Sequence, residues 1–189
     1  NLEEAITAYQ LALEVRTRDA MPVEWAQTIN NLATAYSDRI RGERAQNLEE
    51  AITAYQLALE VRTRAAMPVE WAQTINNLAN AYSDRIRGER AQNLEEAINH
   101  YRQALYVQTQ TALPSDHRQT QRNLGAACLA AQRWQAAAAA YQAALAVNEI
   151  LYAAAATPEA RQGELRAVSD APAALAYALA QEQASADDR

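Results

Sequence analysis

The chain has 189 residues, half of them hydrophobic and 21% charged, which is the composition of a folded protein rather than a disordered one. The formal net charge of −6 argues against nucleic acid or an anionic membrane as the main partner, and the scarcity of Gly and Pro favours an all-helical fold. One cysteine, Cys128, cannot form an internal disulfide. Neither a signal peptide nor a long apolar run is evident, so we expect a cytoplasmic location and no membrane partner.

A stretch of sequence occurs twice in succession, as residues 1–46 and residues 47–92, and a more divergent third copy begins at Asn93. The first residue is not Met and lies inside this repeated pattern, so we expect the chain to be part of a longer protein. The near-identity extends to polar positions that packing does not constrain, which indicates recent duplication. The positions that differ are Asp19 against Ala65 and Thr34 against Asn80.

The first predicted helix of each copy lies in the segment NLEEAITAYQLALEV. Its apolar residues recur at helical spacing, and Asn1 is suited to cap the helix, with Glu3 and Glu4 near the positive end of the helix dipole. The apolar residues are Leu2, Ala5, Ile6, Tyr9, Ala12 and Leu13.

The second predicted helix of each copy starts at a proline, because Pro22, Pro68 and Pro114 stand where a first-turn proline belongs. One face of this helix is again apolar, with Trp25, Ile29, Leu32, Ala33 and Tyr36 in the first copy. A single helix pair cannot bury its apolar face, so the copies are predicted to stack into a solenoid.

After the third copy we predict a long helix from Trp134 to about Ala156, then two more that start at Thr157-Pro158 and at Asp170, the last ending near Gln183. This makes nine helices, with a frayed end over residues 184–189. We therefore divide the chain into a solenoid over residues 1–156, whose last pair spans about 115–156, and capping or linker helices over residues 157–189.

The pattern resembles the tetratricopeptide repeat (TPR), whose signature places Leu, Gly and Tyr on one helix and Ala-x3-Phe on the next. The Leu, Gly and Tyr positions correspond to Leu32, Ala33 and Tyr36, then Leu78, Ala79 and Tyr82, then Leu124, Gly125 and Cys128. The Ala-x3-Phe positions correspond to Ala51/Tyr55, Ala97/Tyr101 and Ala137/Tyr141 on the helices that follow these, and to Ala5/Tyr9 on the first helix of the chain. The resemblance implies an all-α fold, a right-handed α-solenoid of TPR helix pairs with C-terminal capping helices. The repeat is longer than the usual period of about 34 residues, and we assign the excess to the loops.

A narrower resemblance concerns the long repeat containing WAQTINNLATAYSDRIRGERAQN. It is similar to the TPR regions of bacterial, often cyanobacterial, proteins that carry a C-terminal CHAT domain, a caspase-like peptidase, and residues 165–181 resemble the linker before that domain. The resemblance implies a sensor or regulatory part of a larger protein. The peptidase itself is absent from this sequence.

In TPR proteins the first helix of each pair lines a concave groove, so the resemblance places the ligand contacts on polar positions of that helix. Asparagine suits this task because its amide both donates and accepts hydrogen bonds to a peptide backbone. The alternative is an ordinary solvated helix face, which is polar in any case. The candidate groove residues are Gln27, Asn30, Thr34, Asp38, Gln73, Asn76, Asn80, Asp84, Gln119 and Arg122.

The expected function is therefore a protein–protein interaction module that binds a peptide or protein segment, and the alternative is a structural spacer or self-assembly array without a specific ligand. We expect no enzyme activity, no cofactor, no metal and no nucleic-acid partner, since no phosphate loop, ligand spacing or nucleophile motif is present. Cys128 is expected in the core, and His100 and His117 on the surface.

Two further groups are assigned structural roles. Arg39, Arg41 and Arg44, with their copies Arg85, Arg87 and Arg90, are predicted to form a solvated ridge that pairs with the carboxylates of the NLEE segments rather than an anion site. Trp25 and Trp71 are predicted to pack within or between repeats.

Overall fold

The computed structural model describes residues 1–187, and this part of the chain forms nine α-helices and no strand. The all-α fold class and the predicted helices are confirmed. In chain order the helices are α1 (Leu2–Val15), α2 (Pro22–Ser37), α3 (Arg44–Leu59), α4 (Pro68–Asp84), α5 (Arg90–Leu105), α6 (Pro114–Ala130), α7 (Trp134–Ala154), α8 (Pro158–Ala167) and α9 (Ala171–Asp187).

The chain forms two compact units, one over residues 1–104 and the other from residue 105 onward. The first unit contains α1 to α4 and nearly all of α5, and the second contains α6 to α9. The sequence-based division at residue 156 falls inside the second unit, between α7 and α8, and stays a prediction.

The helix starts follow the local chemistry of the chain. Proline stands at the first turn of α2, α4 and α6, as predicted, and the Asn1 side chain caps α1 by accepting from the backbone N–H of Glu3 at 3.3 Å. Helices α3 and α5 begin three residues before the repeat starts at Asn47 and Asn93, at Arg44 and Arg90. Asn47 therefore lies inside α3 and does not cap it. There the Asn47 side chain donates to the carbonyl oxygen of Arg41 at 2.8 Å and so closes the preceding loop.

In the first unit, each helix packs on the next one along the chain through small residues and a tyrosine. Ala33 of α2 and Ala51 of α3 are fully buried, so the two helices approach closely, and the ring of Tyr55 fills the space beside them. The loop inside this pair, residues 38–43, is long, and Gly42 takes a φ of +82° that favours glycine.

In the second unit, α7 packs against both α6 and α9. Gly125 of α6 lies against Tyr141 of α7, where an added Cβ would stand 2.9 Å from the ring, so this close contact requires glycine. The loop inside this pair, residues 131–133, is short. Cys128 is fully buried, which confirms the core assignment.

The C-terminal helices largely match their predicted bounds. Thr157 caps α8 by accepting from the backbone N–H of Ala160 at 3.1 Å. Helix α9 continues through residues 184–187, part of the stretch expected to fray. The remainder of that stretch, residues 188–189, lies outside the described residues.

Candidate interaction surface on α2 and α4

Helices α2 and α4 contact each other directly and present the same residues in the same register, except that Asn80 takes the place of Thr34. Gln27 on α2 and Asp38 directly after this helix are exposed, as are their copies Gln73 and Asp84 on α4. The half-exposed Asn31 and Asn77 lie one turn after the glutamines, and the Gln27 amide donates to Asn31 Oδ1 at 3.1 Å. We call this set the α2/α4 face: Gln27, Asn31, Asp38, Gln73, Asn77 and Asp84.

Asn30 does not lie on a solvated face, contrary to the expectation from the sequence. Its side chain is buried, with 7% of the residue exposed, and its Oδ1 lies 3.0 Å from the hydroxyl of Thr74. Asn30 therefore joins α2 to α4. The reason is geometric: helix α4 covers this position on α2.

Arg62, in the loop after α3, completes this contact and was not recognised in the sequence. It is 2% exposed and donates to Thr74 Oγ1 at 2.9 Å and to Gln27 Oε1. Burial lowers the pKa of Arg62, and the nearby carboxylate of Glu70 acts in the opposite direction. Gln27 is thus exposed and at the same time bonded to the next copy.

The pairing of Arg62 with Thr74 has counterparts twelve residues apart in every copy. Arg16 donates to Thr28 Oγ1 at 3.0 Å, and Thr120 donates to Gln108 Oε1 at 2.7 Å. This constant spacing between a long polar side chain and a buried threonine is the sequence signal that would have revealed the contact.

Thr34 and Asn80 also serve the fold. The hydroxyl of Tyr55 lies 3.0 Å from that of Thr34, and Tyr101 donates to Asn80 Oδ1 at 2.7 Å. Burial raises the pKa of Tyr55 to about 12, while the Thr34 hydrogen bond acts in the opposite direction; burial likewise raises the pKa of Tyr101. These two candidates satisfy buried tyrosine hydroxyls, whatever else they contact.

In the second unit, Gln119 and Arg122 lie one turn apart on α6. Gln119 is exposed and donates to Asn123 Oδ1 at 2.8 Å, whereas Arg122 forms an ion pair with Asp170 at the start of α9. Arg118 on the same helix pairs with Glu164 of α8. Arg122 therefore holds the C-terminal helices, and of these two only Gln119 is an exposed candidate.

The predicted pairing of the arginine ridge with the NLEE carboxylates is found for Arg39 and Arg85, whereas Arg44 pairs with Asp84 and Arg87 with Glu43. Arg39 binds both carboxylate oxygens of Glu3, at 2.9 and 2.8 Å, and Arg85 binds Glu49 in the same way at 2.8 Å. The Arg85 hydrogen bond lowers the pKa of Glu49. These paired ion pairs join the start of one copy to the loop that leads into the next copy.

Other sequence assignments are met in part. Trp25 packs against the core of the first unit, as predicted. His100 is half-buried rather than fully on the surface, with its ring 5.5 Å from that of Tyr82, and burial lowers its pKa.

Within residues 1–187, no group of three His, Cys, Asp or Glu side chains is placed to hold a metal ion, and none of the helices there has the length and apolarity to span a bilayer.

Comparison with known families connects this geometry to a repeat type. The family described as "Tetratricopeptide repeat" matches residues 25–65 and 71–119. These matches support a TPR array. They cover the helices whose alanine and tyrosine packing was described above.

Solved structures agree with this fold. One titled "Crystal structure of MamA" has a TM-score of 0.57 at 17% identity and covers 98% of this chain and 91% of that chain. A second, titled "Crystal structure of MamA protein", has a TM-score of 0.56 at 16% identity and covers 98% and 85%. At these identities the likeness concerns the fold alone. No curated protein matches the sequence.

Proposed function

We propose that this TPR array is a protein–protein interaction module that binds an extended protein segment on the α2/α4 face. One observation carries the proposal. The exposed residues Gln27 and Asp38 recur as the exposed residues Gln73 and Asp84, and the helices α2 and α4 to which they belong are in contact. An extended backbone also repeats its donors and acceptors, so a surface with repeated amides is suited to it.

The face combines two kinds of polar group. The amides of Gln73 and Asn77 suit backbone groups of either kind, because a primary amide donates and accepts. The carboxylates of Asp38 and Asp84 lie at the C-terminal ends of α2 and α4 and suit a positively charged side chain. We therefore propose an extended segment with at least one Lys or Arg as the ligand.

Selection from a displayed random-peptide library on the immobilised chain tests the proposal. A selected peptide should lose affinity about 5- to 150-fold with Gln73→Ala, since removing one partner of a buried hydrogen bond costs about 1–3 kcal/mol. Asp84→Asn should weaken basic peptides and reduce the salt dependence of their binding. Arg87→Ala is the control, because Arg87 is exposed and pairs with Glu43 outside the face.

A structural spacer is the second candidate, and one observation favours it. Of the differences between the first two copies, Thr34 against Asn80 lies in the tyrosine contact and Asp19 against Ala65 lies in a loop, so the α2/α4 face is the same in both copies. A spacer requires no divergence there. Failure of every library peptide to enrich, with the chain folded, would favour this function over the first.

The sequence resemblance adds a finer proposal, that the array is the sensor of a bacterial protein with a CHAT-type peptidase as effector. What supports it is the long repeat and the linker-like segment 165–181. In a protein containing both parts, Gln73→Ala should change the dependence of peptidase activity on the bound segment and leave the unstimulated activity as it was.

A further inference from the structure

The side-chain amide of Gln27 is held in one orientation by Arg62. An arginine side chain only donates hydrogen bonds, so the Gln27 atom that faces it must be the carbonyl oxygen. Arg62 donates to this Oε1 from one terminal nitrogen and to Thr74 Oγ1, at 2.9 Å, from the other. Because Arg62 is 2% exposed, a fixed donor lies directly beneath an exposed amide.

The nitrogen of the same amide fixes the next side chain on α2. Gln27 Nε2 donates to Asn31 Oδ1 at 3.1 Å, and the Asn30 amide donates to the same oxygen at 3.5 Å. Both amide oxygens are therefore engaged within the protein, and the groups left for a ligand are the second N–H of Gln27 and the N–H groups of Asn31. The cation on the Gln27 oxygen also strengthens these donors, because hydrogen bonds in a chain polarise one another.

The same orientation occurs in the second unit, where a different arginine produces it. Gln119 Oε1 accepts from Arg122 at 3.4 Å, and Gln119 Nε2 donates to Asn123 Oδ1 at 2.8 Å. Arg62 follows its glutamine by 35 residues along the chain, whereas Arg122 follows its glutamine by three. Two unrelated arginines thus give the same amide orientation, with the oxygen bound to the protein.

The exposure of the Gln27 amide does not depend on which helix precedes α2. Gln73 on α4 has the same sequence context and is preceded by α2, which α4 contacts, and it is exposed as well. Asn77 is half-exposed, like Asn31. The side chains that face solvent on α2 are therefore the ones that face solvent within the array.

We propose that Arg62 is a positioning residue of the α2/α4 face and makes its α2 part selective for hydrogen-bond acceptors. In an extended segment these acceptors are the backbone carbonyl oxygens. A primary amide that no neighbour held would accept as readily as it donates, so the selectivity comes from Arg62. This role rests on the proposed function of the face, and it specifies which groups of the bound segment lie along Gln27 and Asn31.

The first experiment uses Gln27→Glu, which keeps an oxygen facing Arg62 and replaces the outward N–H group by a second oxygen. The urea midpoint should stay the same or rise, because the carboxylate pairs with Arg62. The affinity for a peptide selected from the displayed library should fall about 5- to 150-fold, because a carbonyl oxygen of the peptide loses its donor. The loss should persist at high salt, which screens charge effects. A lower urea midpoint, or an unchanged affinity, would overturn the proposal.

The second experiment separates positioning from a structural role by a double-mutant cycle. Arg62→Met should lower the affinity for the peptide about 5-fold or more in the original chain and hardly at all in a Gln27→Ala chain, because Arg62 acts through that amide. Equal losses in both chains would show a purely structural role and overturn the proposal. Arg16→Met is the matched control and should leave the affinity unchanged, since Arg16 makes the corresponding bond to Thr28 and is exposed.

The two experiments also distinguish this role from the proposed function on which it rests. If no library peptide enriches on the folded chain, the proposed function fails and the role of Arg62 in binding fails with it. If a peptide enriches and loses affinity with Gln73→Ala, but binds equally well to the Gln27→Glu and Arg62→Met chains, the proposed function stands and the role of Arg62 alone is overturned.

Discussion

The hydroxyl of Thr34 on α2 lies 3.0 Å from the hydroxyl of Tyr55 on α3, and in the next copy Asn80 accepts from Tyr101 at 2.7 Å. Thr34 differs from Asn80, yet both side chains provide an oxygen acceptor at the same place. These two contacts explain why this position can be Thr in one copy and Asn in the next. The buried tyrosine hydroxyl needs a hydrogen-bond acceptor, and either side chain provides one.

Exchanging the two acceptors should therefore have little effect. Thr34→Asn is expected to change the free energy of unfolding by less than about 0.5 kcal/mol. Thr34→Val should cost about 1–3 kcal/mol, because it leaves the Tyr55 hydroxyl unpaired. Urea unfolding followed by circular dichroism measures both, and a neutral Thr34→Val would show that the contact contributes nothing to stability.

The tyrosine ring itself should matter more than its hydroxyl. Tyr55 is buried between paired helices, so Tyr55→Ala should cost about 3 kcal/mol or more by opening a cavity. Tyr9→Ala is the matched control, since Tyr9 has the same sequence context and is only half-buried. The two variants should differ clearly in urea midpoint, and similar midpoints would contradict the packing described.

Arg62 and Arg16 form a second matched pair. Arg62→Ala should cost about 1–3 kcal/mol, because it leaves Thr74 and Gln27 without a buried donor. Arg16→Ala should cost less than about 0.5 kcal/mol, because Arg16 is exposed. Arg62→Gln should be intermediate, since Gln108 fills this position beside Thr120 in the third copy.

Stability should depend on pH through His100. Burial beside Tyr82 lowers its pKa below the ordinary 6.5, and the nearby Glu96 carboxylate opposes this shift. The unfolded chain therefore binds more protons than the folded chain between the lowered pKa and about 6.5. Stability should fall as the pH drops through this window.

His100→Gln should remove that part of the pH dependence, and comparing urea midpoints at pH 7.5 and pH 5.5 measures it. The ion pairs of Glu3 and Glu49 lose their contribution only at lower pH, because the pKa of each carboxylate lies below 4.5. A His100→Gln variant with an unchanged pH profile between these values would contradict the burial effect.

Deleting residues 47–92 should leave a folded, shorter array. The deletion joins Gln46 to Asn93 and recreates the sequence RAQN that begins both α3 and α5. In the shortened chain Thr34 would replace Asn80 as the partner of the Tyr101 hydroxyl. Thr34 already fills this role beside Tyr55, so the replacement should be tolerated. If each repeat is stabilised by its nearest neighbours, the shorter array should unfold cooperatively but be less stable than the original chain. A broad, non-cooperative transition would contradict it.

The sequence by itself determined the helices and their faces. Pro22, Pro68 and Pro114 mark helix starts, and the alanine and tyrosine spacing of 3.6 residues per turn specifies which side is buried, because these effects act within one helix or one helix pair. The pairing of Arg39 with Glu3 and of Arg85 with Glu49 was also predictable, because both segments recur at the same interval.

Only the tertiary structure decided what the polar side chains do. Asn30, Thr34 and Asn80 are polar residues of the kind found on a solvated helix face. In the structure Asn30 joins α2 to α4, and Thr34 and Asn80 bind the hydroxyls of buried tyrosines. Identical residues also differ in burial, as Leu2 and Leu48 show. Exposure depends on which neighbouring helix covers a position, and that neighbour lies outside the segment whose pattern is read, so local periodicity contains no information about it.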